Sequence, residues 1–196
     1  GFVGLSLYLS LTVFAEVWGI TFLNSVYGYS PKQAAFATSM VFFGWLVGAP
    51  VMGYVSDHLK SRRMPLILGC VFSLVTILVI IYVPNHSYHV MLSLLFLFGV
   101  FSSTEVICFA VGRENCPHHM SGAAIAFINM LVMFGGLAFQ PMVGYLLDAN
   151  WSGTMQNGVR AYTAVDYSGA LAIIPVTLVL GLLVSFAMKD SYGMIV

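Results

Sequence analysis

Charge is what this sequence has least of. Its 196 residues include seven Asp or Glu and seven Lys or Arg, which is 7% of the chain, and the formal net charge is zero. A soluble domain carries about 25% charged residues because its surface faces water. So few charges cannot dress the surface of a chain this long, and lipid is the solvent that fits. No cationic cluster exceeds three residues, so a nucleic-acid partner has no electrostatic footprint. Cysteine is scarce as well: Cys70, Cys108 and Cys116 lie in or beside apolar segments without metal-ligand spacing. They read as small buried hydrophobes, and neither metal nor cofactor is expected. The chain does not begin with Met and has no charged leader before a cleavage-like site. An apolar run that starts at Gly1 is read as a sequence beginning mid-protein.

What is abundant is apolar. Hydrophobic residues make up 60% of the chain and the mean hydropathy is +0.95. Charges and Pro/Gly/Asn clusters divide the apolar stretches into six, roughly 3–27, 33–56, 65–83, 90–112, 121–147 and 167–188. Each can cross about 30 Å of hydrocarbon at about 1.5 Å per residue. Polar and apolar residues never alternate over strand-length stretches, and only helices or closed barrels satisfy their backbone in lipid. The expected fold class is therefore an all-α transmembrane six-helix bundle covering residues 1–196.

The connections alternate between two sides. One receives Lys60, Arg62, Arg63, Arg113 and Lys189; the other receives Lys32 and Arg160. An excess of cations marks the cytoplasmic side, so the first helix runs outward and the carboxy terminus lies inside. Tyr27, Tyr29, Tyr82, Tyr88, Trp151 and Tyr162 fall near the opposite face, where amphipathic rings suit the headgroup layer.

Two stretches repeat. FGWLVGAPVMGYVSD, from Phe43 to Asp57, aligns without gaps with FGGLAFQPMVGYLLD, from Phe134 to Asp148, and seven of fifteen positions are identical. They close the second and fifth spans, which run in opposite directions. That is the pattern of an inverted three-plus-three repeat, with units at about 1–84 and 90–190. Pro50 and Pro141 are expected to bend their helices, and Gly53 and Gly144 to admit a close neighbour.

The loop after the second span carries the strongest local signal: Asp57 at the membrane edge, then Lys60, Arg62 and Arg63. A carboxylate there can accept from the free N–H groups of a neighbouring helix start. The arginines can bridge to acidic residues or lipid phosphates. Together they form a candidate conformational clasp.

These residues resemble the signature loop of the major facilitator superfamily, Gly-x-x-x-Asp-(Arg/Lys)-x-Gly-x-(Arg/Lys)-(Arg/Lys). Gly53, Asp57, Arg62 and Arg63 match it; His58 stands for a cation and Lys60 for a glycine. Glu114 to Gly122 is similar to the family's Glu-x-x-Pro-x-x-x-Arg-Gly step, with Ser121 in place of the Arg. Asn129, Gly135-Gly136, Gln140-Pro141 and Gly144 look like the family's eleventh helix. The resemblance implies the carboxy-terminal half, helices seven to twelve, of a twelve-helix carrier that works by alternating access. It also implies a missing amino-terminal six-helix half, against which Asp57 would act. Within this half, Glu114 is the nearest acidic partner for Arg62 or Arg63.

Inside the spans, Glu16 and Glu105 are deep enough to be expensive if they face lipid. They are the candidate substrate or proton-coupling groups, with Trp18, Asn24, Asn129 and Gln140 as further contacts. No histidine and no basic residue falls within the spans as drawn. A membrane enzyme would need a polar catalytic constellation, so that reading is disfavoured. A structural or assembly subunit would leave both glutamates without a task. The expected function is secondary transport of a small solute (neutral, zwitterionic, cationic or a weak acid), coupled to protons, in a bacterial inner membrane. An isolated chain is expected to pair with a second copy through its cavity face.

Overall fold

All six apolar runs are helical. The computed structural model describes residues 1–153, 155–156 and 159–193; the last residues of the carboxy-terminal tail lie outside the described part. Helices α1 (Phe2–Tyr27), α2 (Pro31–His58), α3 (Arg63–Tyr82), α4 (Tyr88–Glu114), α5 (His118–Ala149) and α6 (Ala164–Ala187) are each long and apolar enough to cross a membrane. A short antiparallel hairpin, β1 (Met155–Gln156) with β2 (Val159–Arg160), lies between α5 and α6. The bundle is the all-α six-helix architecture read from the sequence.

Several boundaries move outward from those expected, because capping groups set them. Ser30 caps α2 reciprocally with Gln33, and Pro31 occupies the first turn, where its missing N–H costs nothing. Thr163 and Asp166 form the same reciprocal cap on α6, which therefore begins at Ala164. The longer helices take His58, His89, His118 and His119 into their ends, so the spans contain terminal histidines although none is interior. Both α2 and α5 continue unbroken through Pro50 and Pro141.

Two helices change pitch where function is expected. Ser10–Trp18 of α1 is a π segment and Ser103–Val106 of α4 is a 3-10 turn. Glu16 lies in the first and Glu105 in the second. Departures of this kind inside a helix redirect side chains and cluster at functional positions.

Packing is the same when the first three helices are exchanged for the last three. Helix α2 lies along α4, as its counterpart α5 lies along α1; α3 packs on α4 as α6 packs on α1; and α3 meets α6. Small residues make the closest approaches. A Cβ at Gly44 would stand 2.2 Å from the Phe96 carbonyl oxygen, and one at Gly99 would stand 2.1 Å from that of Val41, so both must be glycine for α2 and α4 to touch. Gly135, the repeat counterpart of Gly44, sits against Leu5 and Leu9 of α1. Gly144 likewise lies against Trp18, but nothing approaches Gly53 within 4 Å. The close neighbour expected at Gly53 is therefore absent among the described residues.

Burial is uneven. In the most apolar window of α1, 72% of residues are buried, against 28% in α2 and 22% in α5. The two helices that carry the repeat are thus the open ones.

Candidate functional site

At the end of the bundle where α2 stops, one guanidinium organises four segments. Arg62 donates from Nε and Nη2 to the Glu114 carboxylate, at 3.0 and 2.7 Å, and from Nη1 to Asp57 Oδ1 at 2.7 Å and Ser56 Oγ at 3.0 Å. The Arg62 and Glu114 side chains are 12% and 11% exposed, whereas Asp57 is 64% exposed. Only the Glu114 pair is therefore shielded enough for its charges to act strongly. The Glu114 hydrogen bonds, opposed by burial and helped by Asp57, hold the Arg62 pKa above its ordinary value. A bidentate fork of this kind is what arginine offers and lysine cannot.

The tail after α6 closes over this pair, and nothing in the sequence marks it beyond the cation at Lys189. The Tyr192 ring lies 4.8 Å from the Arg62 guanidinium carbon, and Ser191 Oγ donates to Glu114 at 3.3 Å. Asp190 accepts from the Ser61 hydroxyl and, at 2.9 Å, from the Arg62 N–H, so it caps the start of α3. Burial alone would raise the Asp190 pKa, but these hydrogen bonds and those from the Tyr192 and Arg63 N–H groups hold it below the usual range. The helix-capping role expected of Asp57 thus belongs, within this chain, to Asp190. Arg63 does not join the cluster: it donates to the Phe186 carbonyl at the end of α6, where a cation offsets the helix dipole. Lys60, standing where the family signature has glycine, has φ +49° in the turn between α2 and α3. The glycine of that signature therefore has a backbone reason, since left-handed residues there cost a side chain energy.

The second motif aspartate has its own pair at the other end of the bundle. Asp148 meets Arg160 of β2 at 2.6 Å and accepts a hydrogen bond from Tyr162, while Arg160 lies 4.8 Å from the Trp151 ring. Each repeat aspartate is thus bonded to an arginine of the loop that follows it. The Asp148–Arg160 pair is half-exposed where the Arg62–Glu114 pair is shielded.

Between the two clasps lie the interior polar groups. Glu105 is 3% exposed and its Oε1 has no hydrogen-bond partner. Glu16 is exposed on a face of α1 that no helix of this bundle covers. Trp18 Nε1 donates to the Gln140 carbonyl at 3.2 Å, and Gln140 Nε2 donates to the Thr12 carbonyl at 2.8 Å, so these two residues tie α1 to α5. Asn24 sits near the end of α1 and donates to the Tyr29 carbonyl at 2.6 Å, which steadies the turn into α2. Asn129 is exposed on α5, about 16 Å along the helix from Gln140. The structure therefore brings together Trp18 with Gln140, and Arg62 with Asp57 and Glu114. Asn24, Asn129 and Gly53 stand apart from both groups.

A six-helix apolar bundle with a buried acid, open second and fifth helices and charged clasps at both ends is consistent with half of a twelve-helix transport fold. The chain matches the family model described as Major Facilitator Superfamily over residues 1–193, and it belongs to that superfamily, a family of transporters rather than enzymes. Its fold is similar to the inward-open xylose transporter XylE from E. coli, with a TM-score of 0.76 at 15% identity, covering 97% of this chain and 46% of that one. The partially occluded inward-open form of XylE gives a TM-score of 0.73 at 15% identity, covering 97% of this chain and 47% of that one. Identity this low shows the fold alone, and the chain spans about half the length of XylE. No curated protein sequence matches it.

Proposed function

We propose that this chain is the carboxy-terminal half of a proton-coupled secondary carrier for a small solute, working by alternating access in a bacterial inner membrane with its carboxy terminus in the cytoplasm. One observation carries the reading: the Glu105 carboxyl, 3% exposed with an unpaired oxygen, inside a membrane helix. An acidic group at that depth costs about 3 kcal/mol on insertion scales, and a structural subunit has no use that offsets it. A group that takes up and releases a proton during transport does. Glu16, on the open face of α1, is the companion group at the solute, with Trp18 and Gln140 beside it.

The open faces of α2 and α5 are where the amino-terminal half docks, and the two triplets form an inverted repeat that rocks about the solute site. The Arg62–Asp57–Glu114 clasp holds the cytoplasmic mouth, with Arg63 and Gly53 completing the loop. No basic residue lies inside the helices away from their ends, which favours a neutral, zwitterionic or cationic solute, or a weak acid carried with its proton. Xylose, the solute named for XylE, falls within the neutral class.

Uptake by the complete gene product in proteoliposomes, with and without an inward proton gradient across a solute panel, tests this. Glu16→Gln and Glu105→Gln should abolish gradient dependence; wild-type coupling in both variants would reject the assignment.

A further inference from the structure

We infer that Tyr192 is a positioning residue for Arg62: its ring holds the guanidinium on Glu114, so the carboxy-terminal tail sets how readily the clasp opens. The inference rests on the clasp role proposed above for Arg62, Asp57 and Glu114.

The hydrogen bonds of Arg62 all lie along the rim of its guanidinium. Nε and Nη2 donate to Glu114, and Nη1 donates to Asp57 and Ser56. A guanidinium donates only in its own plane, so these bonds leave its two flat faces unsecured. The Tyr192 ring meets the cation 4.8 Å from the guanidinium carbon. Only 12% of the Arg62 side chain is exposed, so solvent screens this attraction little.

The ring is delivered by the residue that caps α3. Asp190 Oδ1 accepts from the Arg62 N–H at 2.9 Å and from the Tyr192 N–H at 3.3 Å. One oxygen thus ties the backbone of Tyr192 to the backbone of the arginine that its side chain meets. Gly193, at φ +71°, then turns the chain in a conformation that favours glycine. Between them Ser191 is 2% exposed and donates to Glu114 Oε2 at 3.3 Å. A swing of Arg62 away from Glu114 therefore loses the ring as well as the fork.

The test uses the full-length protein in lipid, with a single cysteine at Ser56 and no other. Ser56 is fully buried and accepts from Arg62 Nη1, so a thiol there is reached when Arg62 moves. Its rate of labelling by a water-soluble maleimide reads how often the clasp opens. Arg62→Gln, which removes the clasp, should label fast. Tyr192→Leu, apolar but without a ring face, should label about three- to tenfold faster than the parent. Tyr192→Phe, which loses only the hydroxyl, should label at the parent rate. In an Arg62→Gln background Tyr192→Leu should add nothing, because Tyr192 acts through Arg62. A Tyr192→Leu rate equal to the parent overturns the inference. So does equal acceleration by Leu and Phe, or further acceleration by Tyr192→Leu when Arg62 is already Gln, because the effect is then one of packing. A parent rate in Arg62→Gln itself rejects the clasp on which the inference rests.

Discussion

Arg62 and Glu114 stand 52 positions apart in the chain yet meet as a forked ion pair, with Nη2 to Oε1 at 2.7 Å and both side chains largely shielded. The pair joins the turn between α2 and α3 to the end of α4, the last helix of one triplet to the first of the next. Removing Glu114 leaves Arg62 with only the exposed Asp57 as an acidic partner, and removing Arg62 leaves Glu114 shielded without a cation. Glu114→Gln is therefore expected to lower stability by on the order of 2 kcal/mol, and Arg62→Lys by less, because lysine keeps the charge and loses the fork. Thermal unfolding in detergent checks the order: Glu114→Gln below Arg62→Lys below wild type.

Lys60 offers a change in the opposite direction. Its backbone is left-handed, at φ +49°, and its side chain is exposed. Lys60→Gly is expected to stabilise the protein by about 0.5–1 kcal/mol, since relief of the left-handed strain outweighs the added freedom of glycine when unfolded. Lys60→Ala keeps the strain and should melt with wild type.

The Asp148–Arg160 clasp is expected to behave differently from the Arg62–Glu114 one. Asp148 and Arg160 are each about half exposed, at 49% and 48%, so solvent and salt screen their attraction. Asp148→Asn should leave the melting temperature nearly unchanged. It should instead raise labelling by a water-soluble thiol reagent of a cysteine placed at Ala161, since the amide holds Arg160 and Tyr162 less tightly than the carboxylate does.

Acid should release the tail before it unfolds the bundle. The hydrogen bonds to Asp190 depress its pKa in the folded state, so its contribution is complete above the ordinary carboxylate value of 3.8. The contribution is lost as pH falls through the lower, folded value. Tail-specific protease cleavage or hydrogen exchange at 189–193 should rise below about pH 4 in wild type. Asp190→Asn should show raised exchange at neutral pH and no further step in acid.

The six helices were legible because lipid demands long apolar runs, and the charges that interrupt those runs mark where helices end. The motif aspartates were legible because a gapless repeat put them in equivalent places, and Glu114 because its loop resembles a known step. Asp190, Ser191 and Tyr192 were not: they are ordinary tail residues until folding lays them on a turn 130 positions earlier. The π segment at Ser10–Trp18, whose Thr12 carbonyl is bonded by Gln140 of α5, was invisible because no residue type in it marks a change of pitch.

The account depends on the two repeat helices crossing the membrane in opposite directions. Single cysteines at His58 and Ser152, in a background lacking Cys70, Cys108 and Cys116, can be labelled with a membrane-impermeant maleimide in right-side-out and inverted vesicles. The expected result is exclusive labelling of His58→Cys in inverted vesicles and of Ser152→Cys in right-side-out ones. Labelling of both from the same side would contradict the inverted repeat and the paired clasps built on it.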